Sequence, residues 1–104
     1  MFKRHFRFNK VDGHPAYIIS EGNGNYSYIS ITHAPCTLGK FRKNIALIDP
    51  IKQNDDRINY IVPVVMIAPK RHFSNHVATQ FKFSPKDGAT IRDMFKKMKV
   101  INKW

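Results

Sequence analysis

The stretch Ala16-Tyr17-Ile18-Ile19-Ser20-Glu21-Gly22-Asn23-Gly24-Asn25-Tyr26-Ser27-Tyr28-Ile29-Ser30-Ile31-Thr32 decides the fold. Two runs rich in Tyr and Ile flank Gly22-Asn23-Gly24-Asn25. Asn and Gly accept the positive φ that a tight hairpin turn requires, so the reading is a central β-hairpin with strands at Ala16–Ser20 and Tyr26–Thr32. In the second run strict alternation breaks where Tyr28 and Ile29 stand side by side, which leaves the buried face, or the position of a bulge, open.

Working outward, Phe2, His5 and Phe6–Phe8 form an earlier strand candidate, with Asp12-Gly13 as the turn before the hairpin. Downstream, Pro35–Asn44 carries Gly39 and the cations Lys40, Arg42 and Lys43, a solvated loop leading to a strand at Ile45–Ile48 that Asp49-Pro50 ends. Gln53-Asn54-Asp55-Asp56 reads as a polar turn, and Ile58–Ala68 as the richest β segment, with Pro63 placing it at an edge or a bend. Pro69–Asn75 is a further loop, followed by a short strand at Val77–Phe83. Ser84-Pro85-Lys86-Asp87 then has a hydroxyl for the N-cap, Pro at the first helical position and an acid at the positive end of the dipole. The predicted helix runs from Pro85 to about Val100, with Ile91, Met94, Phe95 and Met98 on one apolar stripe and Arg92, Lys96, Lys97 and Lys99 largely off it. The fold class is α+β: a strongly bent antiparallel sheet or small barrel closed by one C-terminal helix, in a single domain over residues 1–104.

Lys and Arg number 18 against seven acids, a formal charge of +11, which points to a polyanionic partner, with nucleic acid ahead of an acidic protein or membrane surface. The acids are scattered, so a two-metal nuclease with converging carboxylates is not expected. His33-x2-Cys36 and His72-x3-His76 offer zinc ligand types, but their separation is not that of a familiar finger, and neither a metal nor another cofactor is expected. A single cysteine excludes an internal disulfide and fits a reducing, cytoplasmic setting, and no apolar run is long enough to span a bilayer.

Cations interleaved with aromatic rings occur in Lys3–Phe8 (KRHFRF), Gly39–Lys43 (GKFRK) and Pro69–Phe73 (PKRHF). Each offers charge for phosphate beside a ring able to stack a base, so Arg4, Arg7, Lys40, Arg42, Lys43 and Lys70 are the candidate nucleic-acid contacts. Within one strand the same pattern also arises when Phe points to the core and the cation to water. The histidines supply the second ingredient. A metal-independent ribonuclease needs a base for the 2′-hydroxyl, an acid for the leaving oxygen and a cation for the phosphorane, and His33 at a strand end with Arg71-His72 in a loop are candidates for those roles.

Gly13-His14-Pro15-Ala16-Tyr17-Ile18-Ile19-Ser20, followed by Tyr28-Ile29-Ser30-Ile31-Thr32-His33, resembles the PemK/MazF-like endoribonuclease toxins of toxin–antitoxin systems. The likeness covers about 20 residues closely and the rest by element order. It implies an SH3-like barrel with a C-terminal helix, metal-independent cleavage of single-stranded RNA, an inhibitory antitoxin and a homodimer. Thr32 matches that family's catalytic-site Thr, and His14 stands where the family has its Arg before Pro-Ala. A His lacks the permanent bidentate charge of Arg, so either Arg71, Arg4 or Arg7 supplies the clamp or the activity is altered or lost. The first expectation is therefore an endoribonuclease toxin with His33 and His72 as the acid–base pair, Arg71 as clamp and Thr32 and His14 in support. The alternatives are a non-catalytic nucleic-acid-binding or inhibitory protein and a protein that binds an acidic partner.

Overall fold

β1 (His5–Phe8), β2 (Pro15–Gly22) and β3 (Asn25–Thr32) form an antiparallel meander in the computed structural model, which describes residues 2–37, 42–96 and 100–102. The β2–β3 turn is made by Asn23 at φ 53° and Gly24 at φ 77°, the left-handed pair that twists a two-residue turn to match its strands. The bulge lies on β2: Ile18 faces Tyr28 and Ser20 faces Ser27, so Ile19 is the extra residue. On β3 the alternation is intact. Tyr26 and Tyr28 enter one apolar cluster with Ala16, Ile18, Ala68 and Phe73, whereas Ile29 and Ile31 enter the other with Phe6, Ile61 and Ile91. Tyr28 and Ile29 adjoin in sequence because the second half of β3 is buried on both faces.

The sheet bends because β3 changes neighbour along its length. Short pairs β4 (Cys36–Thr37) with β5 (Arg42–Lys43), and β6 (Ile45–Ala46) with β7 (Tyr60–Ile61), follow the meander. The last two residues of β3 pair with β7, whereas Asn25–Tyr28 pair with β8 (Val65–Pro69). Between them Val64 N–H donates to Val62 O at 2.8 Å, a three-residue turn around Pro63 that redirects the expected continuous segment. A 3₁₀ turn, Lys70–His72, then brings residues 73–78 back along the free edge of β1. Asn9 bridges Phe73, Ser74 N–H donates to Phe8 O at 2.8 Å, and Ala78 N–H to Phe6 O at 2.7 Å. These bonds wrap the bent antiparallel sheet towards a barrel. The expected strand at Val77–Phe83 is therefore an edge-covering segment with one bond to β1, not a regular strand.

Helix α1 (Pro85–Phe95) starts as expected: the Ser84 hydroxyl accepts Asp87 N–H at 3.2 Å with Pro85 in the first turn. It ends at Phe95, earlier than predicted, and Val100 instead opens β9 (Val100–Asn102), which adds parallel to β8. β-branched Val and Ile suit an open sheet edge better than another helical turn. Ile91 is buried, Met94 and Phe95 are half-buried, and Lys97, Met98 and Lys99 lie outside the described residues. No helix among the described residues is long and apolar enough to cross a membrane.

Candidate nucleic-acid interface

Two of the three basic–aromatic segments meet, and two of their cations, Arg7 and Lys70, are engaged there. Lys3–Phe8 and Pro69–Phe73 converge on Tyr26, whose ring centroid lies 5.3 Å from the Arg7 guanidinium and 5.2 Å from Lys70 Nζ. Arg7 Nη1 donates to Ser74 O at 2.8 Å and its Nε to His5 Nε2 at 2.9 Å, while His5 Nδ1 donates to Lys3 O at 2.8 Å. Arg7 thus ties β1 to the segment that closes the sheet. Lys70 pairs with Glu21 at 2.7 Å; this contact draws the Glu21 carboxyl below its ordinary value and the Lys70 amine above its own. Phe6 and Phe73 are buried, and Phe8 is half-buried against the core. Lys3, Arg4 and Arg71 of these two segments are exposed, as is Lys70 despite its ion pair. In the third segment Lys43 is exposed, whereas Lys40 and the side chain of Arg42 lie outside the described residues.

Arg4 opens onto a groove of about 700 Å³ between α1, the β1–β2 surface and residues 77–84. Its guanidinium lies 4.6 Å from the Phe95 ring centroid. Tyr17 packs against Phe6 and Phe83 at 5.0 and 4.8 Å and stands half-buried in the wall. Burial raises its phenol above the ordinary value, against the lowering pull of the Arg4 and Arg92 charges, so it keeps its proton at neutral pH. Lys82 adds a further cation, and no carboxylate lines the groove among the described residues. Sequence reading missed Tyr17, Lys82 and Arg92. Arg92 read as part of a solvated helix face, and nothing in the sequence marked it otherwise.

The residues expected to catalyse fall into two groups. Thr32 ends β3, with its hydroxyl accepting Ala34 N–H at 3.2 Å, and His33 Nε2 lies 3.5 Å from Asp55 Oδ2. Asp55 also accepts from Asn59 Nδ2 at 3.0 Å and Arg57 N–H at 3.1 Å. Its carboxyl is held below the ordinary value by Asn59 first, then the Arg57 amide, with His33 a smaller contribution. His14 stands two residues before Ala16, and Ala16 faces Ser30, two residues before Thr32, so His14, Thr32 and His33 share one end of the β2–β3 pair. Arg71 and His72 sit instead in the 3₁₀ turn, where His72 O accepts Lys10 N–H at 2.7 Å. Among the described residues no hydrogen bond, ion pair or ring contact joins His33 to His72, and no group of three or more His, Cys, Asp or Glu gathers to hold a metal ion. Asp55, which lies beside His33, had no mark in the sequence beyond its place in a polar turn.

Comparison with protein-family models, with curated proteins and with solved structures finds no match to this chain.

Proposed function

We propose that this chain binds single-stranded RNA in the cytoplasm through its basic surface, with the groove between α1 and the β1–β2 surface as its centre. The observation that carries the reading is a groove lined by Arg4, Lys82 and Arg92, backed by Tyr17, Phe83 and Phe95, without a carboxylate, on a chain of net charge +11. Cations neutralise phosphates, and adjacent rings and apolar walls receive unstacked bases, which a duplex does not offer. The test is fluorescence anisotropy with a labelled single-stranded RNA over a salt series. Log K falls linearly with log salt, with a slope steeper than about −2, as expected for three or more phosphates at about −0.7 each. A flat response overturns the reading.

A second reading, a metal-independent endoribonuclease of the toxin type, is supported by the His33–Asp55 contact beside Thr32. A carboxylate beside an imidazole at a strand end is an arrangement used in general acid–base catalysis. An acidic antitoxin and a homodimer belong to this reading. Cleavage of RNA by the purified chain separates it from simple binding.

A further inference from the structure

We propose that the groove is a terminal-phosphate subsite: Arg4, Arg92 and the Tyr17 hydroxyl receive the phosphate monoester at one end of an RNA chain, and the end nucleotide's base lies against Val77, Phe83 and Phe95. The proposal rests on the RNA-binding reading and specifies which part of the RNA this site takes.

The argument starts from charge. A phosphodiester inside an RNA strand carries one negative charge, whereas a terminal phosphate monoester carries close to two at neutral pH, its second ionisation lying near pH 6. Two guanidiniums acting on one point match the second ligand better than the first. Arg4 and Arg92 offer two such guanidiniums from different elements, one at the start of the chain and one on α1, lining one groove together with Tyr17. No carboxylate among the described lining residues neutralises them. Arg4 is held by its stacking on Phe95, which limits the side-chain freedom that a ligand has to freeze. Arg92 Nη1 faces the bare Cα of Gly88, so no side chain covers it on that side. The helix N-terminus beside the groove adds little attraction of its own, because the Ser84 hydroxyl and the Asp87 carboxylate already occupy it.

Shape supports the same ligand. A groove of about 700 Å³ lies within the range of pockets that enclose a small molecule, roughly 300–1,000 Å³. Val77 is 43% exposed on its wall, an apolar surface where a base gains more than water does. Tyr17 adds a neutral O–H donor that a phosphate oxygen accepts, and the two guanidiniums add charge-assisted donors, the stronger kind.

The experiment compares three RNA oligomers of one sequence: a 5′-phosphate with a 3′-hydroxyl, a 5′-hydroxyl with a 3′-phosphate, and hydroxyls at both ends. One phosphorylated oligomer binds about tenfold more tightly than the dihydroxyl form, and which one does so identifies the end that is read. A nucleoside monophosphate phosphorylated at that same position competes for the site, whereas the nucleoside does not. Tyr17→Phe, which leaves the ring packing on Phe6 and Phe83 in place, and Arg92→Gln, on an exposed helix position, each reduce the ratio of affinities between the phosphorylated and the dihydroxyl oligomer while the thermal midpoint is kept. Equal binding of all three oligomers overturns the subsite and leaves RNA binding standing. Absence of binding to any of them overturns both.

Discussion

The Asp87 carboxylate, 2% exposed, accepts the backbone N–H of Ile48 at 2.9 Å across 39 positions of sequence. It accepts Asp49 N–H at 3.0 Å as well, and the Ser84 hydroxyl at 3.2 Å, while its own N–H returns to Ser84. One side chain therefore braces the Ser84 cap of the helix from which it projects and fastens the chain beyond β6 to that helix.

Asp87→Ala leaves two backbone donors without their acceptor and removes the brace on the Ser84 hydroxyl, so the loss of stability is about 2–4 kcal/mol, and Asp87→Asn, which keeps one acceptor oxygen, loses less. Urea unfolding checks this. The midpoint falls while the slope is unchanged, and an unaltered midpoint means that the connection beyond β6 is held by something else.

The apolar stripe of α1 predicts unequal costs along its length. Ile91, 2% exposed, loses about 2–5 kcal/mol on truncation to Ala. Phe95 is half-buried beneath Arg4, so Phe95→Ala costs about 1–2 kcal/mol, below the roughly 3–5 of a fully buried ring. Negligible effects for both mean that the helix does not pack on the sheet.

Acid weakens the fold in part through Asp55. Its carboxyl is held below the ordinary value in the folded chain, so the folded state resists protonation more than the unfolded state does. The stabilisation is complete above the unfolded value of about 3.9 and is lost as pH falls through the lower folded value. Thermal midpoints between pH 6 and pH 2 test the point: Asp55→Asn flattens the acid limb, and a limb identical to that of the wild type excludes Asp55 as a contributor.

Arg7 and Arg71 belong to neighbouring segments but act differently. Arg7→Ala removes the bonds to Ser74 and His5 and lowers the unfolding midpoint. Arg71→Ala, at an exposed position, changes stability by less than about 0.5 kcal/mol and instead weakens RNA binding, making the salt slope shallower by about 0.7. Equal effects of the two on both measurements would contradict this division.

If the chain cleaves RNA, the rate resides at the end of β3. His33→Ala lowers it about 10²- to 10⁴-fold with RNA binding retained, and Asp55→Asn lowers it through the orientation of His33. His72→Ala has a smaller effect, since no contact links it to His33. Cleavage survives EDTA, fails on a 2′-deoxy substrate and leaves a 2′,3′-cyclic phosphate. A folded protein that leaves RNA intact ends the ribonuclease reading and leaves the binder.

What was legible in the sequence had local causes. Asn23-Gly24 marks its own turn through backbone conformation, and Ser84-Pro85 marks its own helix start through a cap and a fixed φ. Less legible were the elements whose bonds are made elsewhere. β6 and β7 are two residues each, too short to carry a period, and β9 joins β8 in parallel although the helix pattern runs up to it. The adjacent Tyr28 and Ile29 read as an irregularity because a pattern on one strand does not reveal that both of its faces are covered. At the site, cations were visible but their engagements were not: Arg7 is bound by Ser74, 67 positions away, and Arg92 acts beside Tyr17 across the sheet–helix boundary.

The segment that wraps back along β1 sets a schedule for synthesis. Phe8 and Ser74 are 66 positions apart, and ribosomes add about 5–20 residues per second, so the edge of β1 waits about 3–13 s for its cover. During that interval a nascent chain displays an open strand edge carrying Phe6 and Phe8, the kind of surface that pairs with other chains. Production in a cell is accordingly sensitive to translation speed and to chaperone supply, and a chain halted before Ser74 aggregates where the longer one folds.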